Sequence, residues 1–439
     1  MDRMIYLLNV SVSGVKCIED EIRLNFYKKT IDKDFNPDSY RIKAIYGENG
    51  AGKSAIITGI KIFYDYIVGG NYLNETKNQK FLAEIINKKT KKFTIAFEYL
   101  VNLSDDNLVY RYTLEIGLNE NNMFVVNSET LSYKNGNYPN NNYSNIYESK
   151  NGELTNISCE GNVGDIKKKT ANLLSTNSFA YLYIMRFTKE QNTDNSLLAH
   201  IMLFIIFAAT FKIYMAEEDQ HELYFMRKNI KERNINNETF GVDFEEYINE
   251  LDKISGVNEK YIRKEDYAEY RSKIGRLTEF IKLFKRDLVS IDIDKKDNGD
   301  VYVCDLNLNY GDYLVNKEFE STGIKKLIRL FDCFDAASGI GIVFIDELDS
   351  NLNDVYLCKI IEYFMYYGRG QLCFTTHNLD PMSVLKENKN SIEFLSSDNH
   401  LVSWVTRGNA SPENCYKNGM IENSPFNIEA SDFVGILGE

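Results

Sequence analysis

The feature that most constrains this chain is a glycine-rich stretch between residues 47 and 54. It reads Gly47-Glu48-Asn49-Gly50-Ala51-Gly52-Lys53-Ser54 and matches G-x-x-x-x-G-K-[ST], the P-loop pattern. Residues 42–46 before it are predicted to form a buried strand, and residues 54–66 after it a helix with apolar residues at helical spacing. Glycines let successive backbone N–H groups turn toward a phosphate, and the helix N-terminus adds positive potential there. We call residues 47–54 the glycine-rich loop, and expect Lys53 to reach phosphate oxygens and Ser54 to offer its hydroxyl to Mg²⁺.

A second polar group is expected where the apolar strand at residues 341–345 ends in Asp346 and Glu347. Four consecutive apolar residues fit a strand that is buried on both faces of a parallel sheet. Open α/β sheets bind ligands at the carboxyl ends of their strands. Asp346 is therefore placed to hold Mg²⁺ through water, and Glu347 to orient a water beside a terminal phosphate. Alone, the segment fits a strand followed by an acidic helix cap equally well; the glycine-rich loop favours the catalytic interpretation.

The next predicted strand, residues 371–375, leads into His377. A lone histidine is more often structural than catalytic, but one at this strand end could hydrogen-bond a terminal phosphate. We therefore predict that the catalytic residues are Lys53, Glu347 and His377. His200, His221 and His400 lack such a context and receive no role.

Taken together, these segments resemble an ABC-type ATPase head of the branch that holds RecF, RecN and the SMC proteins. The loop Asp349-Ser350-Asn351 matches a further element of that family, and so does Ser321-Thr322-Gly323 before a predicted helix at residues 324–334. The resemblance implies ATP and Mg²⁺ as cofactors. It also implies a homodimer or larger even assembly in which Ser321 and Gly323 contact the γ-phosphate of the nucleotide held by a second subunit. From the residues alone, Ser321 is equally the N-cap of an ordinary helix.

The sequence departs from the family pattern in three places. The segment around Ser321 lacks the Leu-Ser-Gly-Gly-Gln wording of transporters. The usual Q-loop glutamine is not obvious; Gln191, after an expected strand at residues 179–187, is the candidate. The insertion between the two halves is too short for a long chromosome-type arm, and it has no cysteine hook.

The wording Glu320-Ser321-Thr322-Gly323, the short insertion and the tail at residues 424–428 resemble AAA-family ATPases of bacterial abortive-infection and other antiphage systems. This resemblance implies a sensor or regulator of a separate toxin or nuclease, because the residues after Asn378 leave little room for a nuclease domain. The tail continues to residue 437, and its apolar residues could dock such a partner or pack on their own domain; they are Phe426, Ile428, Phe433, Val434, Ile436 and Leu437. The alternatives are a DNA-binding repair ATPase of RecF type and a nucleotide-gated scaffold with little turnover.

The expected fold class is α/β: a P-loop NTPase head of ABC type with a parallel core sheet, an antiparallel β subdomain and a helical insertion. The expected domains are an N-lobe at residues 1–190, the insertion at 191–286 and a C-lobe at 287–439. A β-hairpin is predicted at 5–27, a helix at 76–87, and antiparallel strands at 92–117, 124–133 and 144–148. Residues 165–286 are predicted to be mainly helical, with helices at 195–215, 244–253 and 265–286, and strands resume at 288–291 and 301–308.

Composition limits the partners and the cellular setting. A net charge of −13 argues against a broadly basic surface. The lysine clusters at residues 88–92, 167–169 and 227–233 could bind nucleic-acid phosphates or form ordinary solvated charged faces. The 7 scattered cysteines favour a reduced, cytoplasmic setting without a zinc site. The apolar run at 201–211 is short for a membrane span, so a buried helix is expected there.

Overall fold

Helices packed on β-sheets make up the part of the chain that the structure describes. The computed structural model describes residues 4–29, 31, 35–36, 40–103, 107–138, 140–159, 163–187, 194–215, 256–386, 388, 390–405, 411–421 and 436. The strands are β1 Ile5–Ser13, β2 Ile22–Asn25, β3 Ile42–Gly47, β4 Lys92–Asn102, β5 Asn107–Leu118, β6 Phe124–Asn135, β7 Ser144–Lys150, β8 Glu153–Ile157, β9 Phe211–Tyr214, β10 Tyr261–Arg263, β11 Ser290–Asn298, β12 Val301–Asn309, β13 Leu314–Asn316, β14 Ile342–Ile345, β15 Gln371–Thr375, β16 Ile392–Leu395 and β17 Leu401–Ser403. The helices are α1 Lys53–Gly69, α2 Thr76–Ile85, α3 Val163–Thr170, α4 Phe179–Phe187, α5 Asn195–Ala209, α6 Tyr267–Lys282, α7 Thr322–Ser338, α8 Asp354–Tyr366, α9 Pro381–Leu385 and α10 Pro412–Lys417.

The central sheet has the strand order β17-β16-β3-β15-β14-β9. All its neighbouring pairs are parallel except β16 and β17. Successive side chains of β14 alternate between two cores: Ile342 and Phe344 pack on one side, Val343 and Ile345 on the other. Both faces are covered, which is why the strand is a continuous apolar run. The predicted parallel sheet built from both ends of the chain is therefore confirmed.

The second sheet is antiparallel and has the order β2-β1-β4-β5-β6-β7-β8. Its apolar face shares one core with α1, α5 and one face of the central sheet. The Phe63 ring of α1 lies 4.4 Å from that of Phe97 on β4 and 5.8 Å from that of Phe211 on β9. The predicted antiparallel subdomain beside the glycine-rich loop is confirmed, with β8 as a strand that the sequence pattern did not indicate.

Two buried polar contacts join the two halves of the chain. The Gln371 side chain accepts from Leu7 N at 2.8 Å and donates to Leu7 O at 2.9 Å, at the irregular step in the β1–β4 ladder. On the central sheet, Lys43 of β3 is fully buried and pairs with Glu393 of β16 at 2.6 Å. Burial lowers the pKa of Lys43, against the opposing charge of Glu393. Each contact satisfies polar groups that would otherwise be costly to bury.

A smaller antiparallel sheet of β10, β12, β11 and β13 lies beside α6 and α7. Leu306 and Leu308 of β12 share a core with Leu277 of α6 and Leu330 of α7. This core is the one on which Val343 and Ile345 of the central sheet pack. Helix α7 therefore shares this core with both the small sheet and β14, the strand that precedes Asp346 and Glu347.

The predicted strand at residues 179–187 is wrong, because the segment forms helix α4. Its start is set by a buried carboxylate: Glu129 accepts from Phe179 N at 2.9 Å and from Ser178 Oγ at 2.6 Å. A short apolar run fits either a buried strand or a buried helix. The contact from β6 decides between them.

The predicted single helix at residues 195–215 is also wrong at its end. Helix α5 stops at Ala209, and β9 follows as a parallel neighbour of β14, with Ile213 opposite Phe344. The central sheet thus takes a strand from the range expected to be a helical insertion. Pairing with β14 decides this, and Thr210 and Lys212 are the polar residues that mark the break in the sequence.

Several expectations fall outside the described residues. They are the candidate Gln191, the helix at 244–253, the lysine cluster at 227–233 and most of the tail at 424–437. Over the ranges that are described, no helix is long and apolar enough to cross a membrane.

Candidate functional site

The glycine-rich loop joins β3 to α1, as predicted. Gly52 is the N-cap of α1 and has φ +107°, in the left-handed region that favours glycine. A Cβ on Gly52 would also lie 3.1 Å from Ile18 Cγ1 and 3.3 Å from Cys17 Sγ. No side chain caps α1, so the N–H groups of its first turn are available to an anion.

Lys53 lies at the start of α1 with only 6% of its surface exposed. Its Nζ donates to Gly47 O at 2.8 Å and to Glu48 O at 3.0 Å, so the ammonium is folded back on the loop. Burial lowers the pKa of Lys53, while Asp346, Glu347 and Asp349 oppose that shift. The lysine charge therefore sits between the loop backbone and the acidic end of β14.

Ser54 and Asp346 meet as the sequence predicts. Ser54 Oγ donates to Asp346 Oδ1 at 3.0 Å. Thr375, at the end of β15, donates to the same oxygen at 2.6 Å and accepts from Glu347 N at 2.8 Å. The result is a hydroxyl and a carboxylate held together at the carboxyl edge of the central sheet, and these are the oxygen ligands that Mg²⁺ prefers.

Glu347 follows β14 and is exposed. Its φ is +50°, a left-handed conformation that is uncommon for a residue with a side chain. Among the described residues, no hydrogen bond or ion pair to its carboxylate is found. The carboxylate is therefore available beside Lys53, whose charge it influences.

His377 follows β15 at the same edge of the sheet. Its backbone N–H donates to Asp349 Oδ2 at 3.4 Å. Partial burial lowers the pKa of the ring, and the nearby Lys53 charge lowers it further. The imidazole is therefore mainly neutral at pH 7, and so can donate from one nitrogen and accept at the other. The ring lies near enough to Lys53 and Glu347 for their charges to influence its pKa.

Ser321 and Gly323 lie at the start of α7, and here the structure shows the local roles. Ser321 Oγ accepts from Ile324 N at 3.4 Å, which confirms the predicted N-cap. A Cβ on Gly323 would lie 2.8 Å from Asn351 O, so this position admits close approach of the loop after Glu347. Gly323 thus lies close to the loop that follows the acidic pair, and neither Ser321 nor Gly323 makes a described hydrogen bond to the glycine-rich loop.

Two polar residues at the site were missed by the sequence patterns. Thr375 links Asp346 to the main chain of Glu347, and its signal was a hydroxyl at the end of an apolar strand. Lys326 of α7 is only 5% exposed and donates to Glu347 O and Ser350 Oγ. Its signal was a lysine on the helical face that also carries Leu330, Cys333 and Ala337.

The lysine clusters are largely engaged by carboxylates where they are described. Lys92 pairs with Glu115 at 2.7 Å, Lys169 with Asp165 at 2.8 Å and Lys88 with Glu84 at 3.7 Å. Lys89 likewise pairs with Glu19. Each of these surface lysines faces an acid, which reduces the positive potential available to a phosphate backbone.

No protein-family model matches the chain, and no curated protein matches it at a significant level.

Proposed function

We propose that this protein is an ABC-type ATPase that binds and hydrolyses ATP with Mg²⁺. The observation that carries the proposal is the hydrogen bond from Ser54 of the glycine-rich loop to Asp346 at the end of β14. It joins the two sequence elements that nucleotide hydrolysis needs, a phosphate loop and an acidic strand end, at the carboxyl edge of one parallel sheet.

The residues present fit a magnesium nucleotide. The uncapped N-terminus of α1 offers backbone N–H groups to the phosphates, together with the loop residues Gly47, Glu48, Asn49, Gly50, Ala51 and Gly52. Lys53 would exchange its bonds to Gly47 O and Glu48 O for phosphate oxygens. Ser54 and Asp346 would hold Mg²⁺, which supplies charge neutralisation at the phosphates.

Hydrolysis is assigned to the carboxylate and imidazole at the same edge. Glu347 is exposed and has no described partner, so it is free to orient a water and accept its proton. His377 is neutral and can donate a hydrogen bond to the terminal phosphate. Phosphoryl transfer depends mainly on such positioning and on charge stabilisation, both of which these residues supply.

We further propose that two copies assemble around the bound nucleotides. Ser321 is exposed at the N-terminus of α7, where a helix end attracts an anion. Phe319, which precedes the Ser321–Gly323 segment in the chain, is 85% exposed. Such an exposed apolar side chain favours burial against a second subunit. The assembly would be a dimer or a larger even oligomer.

The cellular role that we propose is regulation of a separate toxin or nuclease in a bacterial antiphage system in the cytoplasm. This proposal rests on the resemblance of the Glu320–Gly323 sequence to that of abortive-infection ATPases. The net charge of −13 and the acid-paired lysines support a protein effector over direct clamping of DNA. Duplex-DNA binding that weakens with salt and strengthens with ATP would instead support the RecF-type alternative.

The test combines ATP turnover with the mass in solution of wild type, Glu347→Gln and the control Glu153→Gln, with and without ATP and Mg²⁺. We expect wild type and Glu153→Gln to hydrolyse ATP, and Glu347→Gln to lose about a hundredfold or more in kcat. ATP should hold Glu347→Gln as a stable dimer or larger even assembly. Absence of both ATP binding and turnover in folded wild type would refute the proposal. Turnover with an unchanged monomer mass would refute only the assembly.

A further inference from the structure

Lys326 is a buried cation at the back of the proposed site. It lies on α7 with 5% of its surface exposed, and its Nζ donates to Glu347 O and to Ser350 Oγ. Burial lowers its pKa to about 8, against the opposing charges of Asp349, Glu347 and Asp346. A buried ammonium is expensive unless it is paired, so these contacts hold it in one place.

The main-chain group that Lys326 contacts belongs to a strained residue. Glu347 has φ +50°, which costs an ordinary side chain on the order of 1–2 kcal/mol. Its N–H is fixed by Thr375 Oγ1 at 2.8 Å, and its carbonyl accepts from Ser350 N at 3.1 Å and Ser350 Oγ at 3.0 Å as well as from Lys326. Both ends of the Glu347 backbone are therefore held, while its carboxylate is left exposed.

Helix α7 touches the loop after Glu347 at a second point. Gly323 approaches Asn351 so closely that an added Cβ would lie 2.8 Å from its carbonyl oxygen. Ser321, the N-cap, lies at the exposed end of the same helix. One rigid helix thus connects the exposed Ser321–Gly323 end to the carbonyl of Glu347. A small shift of α7 would move the backbone that sets the direction of the Glu347 carboxylate.

We propose that Lys326 is a positioning residue, which holds the Glu347 main chain and relays occupation of the Ser321–Gly323 end of α7 to the Glu347 carboxylate. This inference rests on the proposed ATPase function. Lys326 does not touch the reacting atoms. It acts through the peptide group of Glu347 and through Ser350, so its loss changes the rate of the chemical step and leaves nucleotide binding in place.

The test compares Lys326→Met with Lys325→Met. Methionine keeps the unbranched apolar stem of Lys326, and the hydrogen bond that Ser350 Oγ donates to Glu347 O at 3.0 Å does not depend on the lysine. Lys325, its neighbour on α7, donates instead to Glu318 O at 3.2 Å and is the matched control. For Lys326→Met we expect about a tenfold or greater loss of kcat with KM for ATP within about threefold of wild type. Lys325→Met should match wild type in both.

A purely structural lysine would give a different pattern. Its substitution would lower the melting temperature and the amount of active enzyme. The kcat of the active fraction, which active-site titration measures, would stay unchanged. That result would overturn the proposal. If Lys326→Met does not fold, Ser350→Ala replaces it, because it removes one of the two acceptors of Lys326. A wild-type kcat in folded Ser350→Ala, with Lys326 intact, would likewise overturn it.

The relay is tested by combining Ser321→Ala with Lys326→Met. If Lys326 carries the signal from the end of α7, the effect of Ser321→Ala on kcat should be at least about threefold smaller in the Lys326→Met background. Strictly multiplicative effects would refute the relay. Failure of the proposed function is distinct, because wild type itself would then show no ATP turnover.

Discussion

Ser54 Oγ donates a hydrogen bond of 3.0 Å to Asp346 Oδ1, although the two residues are 292 positions apart in the chain. The contact is possible because β3, which leads into the glycine-rich loop, is separated from β14 only by β15. Thr375 at the end of β15 completes the link by donating to the same carboxylate oxygen at 2.6 Å. The ends of three neighbouring parallel strands thus bring together the Ser54 hydroxyl, the Thr375 hydroxyl and the Asp346 carboxylate.

Asp346→Asn tests the proposed magnesium ligand. The amide keeps the shape of the carboxylate but removes its charge, so Mg²⁺-dependent hydrolysis should fall by about a hundredfold or more. ATP binding without Mg²⁺, measured by fluorescence of a labelled nucleotide, should remain within about threefold of wild type. Asp312→Asn, in an exposed turn, is the control. Unchanged Mg²⁺ dependence in Asp346→Asn would contradict the assignment.

His377→Ala tests the proposed contact to the terminal phosphate. Removing one preorganised donor commonly costs about a hundredfold in kcat at sites of this type, and His377→Gln, which keeps a donor, should recover part of that loss. ATP and ADP affinities measured by calorimetry should separate the roles. We expect His377→Ala to weaken ATP binding more than ADP binding, because only ATP carries the γ-phosphate. Equal effects on both nucleotides would argue for a structural histidine.

The buried pair Lys43–Glu393 predicts a non-additive stability pattern. Both side chains are almost fully buried and 2.6 Å apart, so Glu393→Leu alone leaves a buried ammonium and should cost about 3–5 kcal/mol. Lys43→Met added to Glu393→Leu should recover most of that loss, since no buried charge then remains at β3. Urea unfolding provides the measurement. The exposed pair Lys88–Glu84 is the control, and Lys88→Ala should cost less than about 1 kcal/mol.

His200 predicts one component of acid sensitivity. Its ring is buried on α5, hydrogen-bonded to Tyr110 OH at 2.7 Å, and burial lowers its pKa from 6.5 to about 4. Between pH 4 and pH 6.5, the unfolded chain therefore binds a proton at His200 that the folded chain does not bind. The stability contribution is complete above pH 6.5 and declines as the pH falls toward 4, by about 3 kcal/mol.

His200→Gln should remove this component, so its unfolding free energy should fall less than that of wild type between pH 7 and pH 4.5. His400→Gln, at an exposed position, should follow wild type. Parallel pH profiles for wild type and His200→Gln would show that His200 is not kept neutral by burial.

Much of the candidate site follows from local sequence. Gly52 needs its left-handed φ, Ser54 begins a helix with an apolar face, and the apolar run before Asp346 needs cover on both sides. These are requirements of backbone geometry and burial that a short segment carries by itself. They were enough to predict β3, α1, β14 and β15, whereas a shared Mg²⁺ site of Ser54 and Asp346 was expected from the P-loop pattern and from the position of Asp346 at a strand end.

The remainder was decided only by tertiary contacts. Residues 179–187 form a helix because Glu129 binds its first turn, and residues 211–214 form a strand because β14 lies beside them. The local sequence of neither segment determines its conformation, since buried helices and buried strands both favour apolar residues. In the sequence, Lys326 is likewise one of two neighbouring lysines on a predicted helix, and nothing local indicates its contacts. Its hydrogen bonds to Glu347 O and Ser350 Oγ form only once residues far apart in the chain have packed into one core.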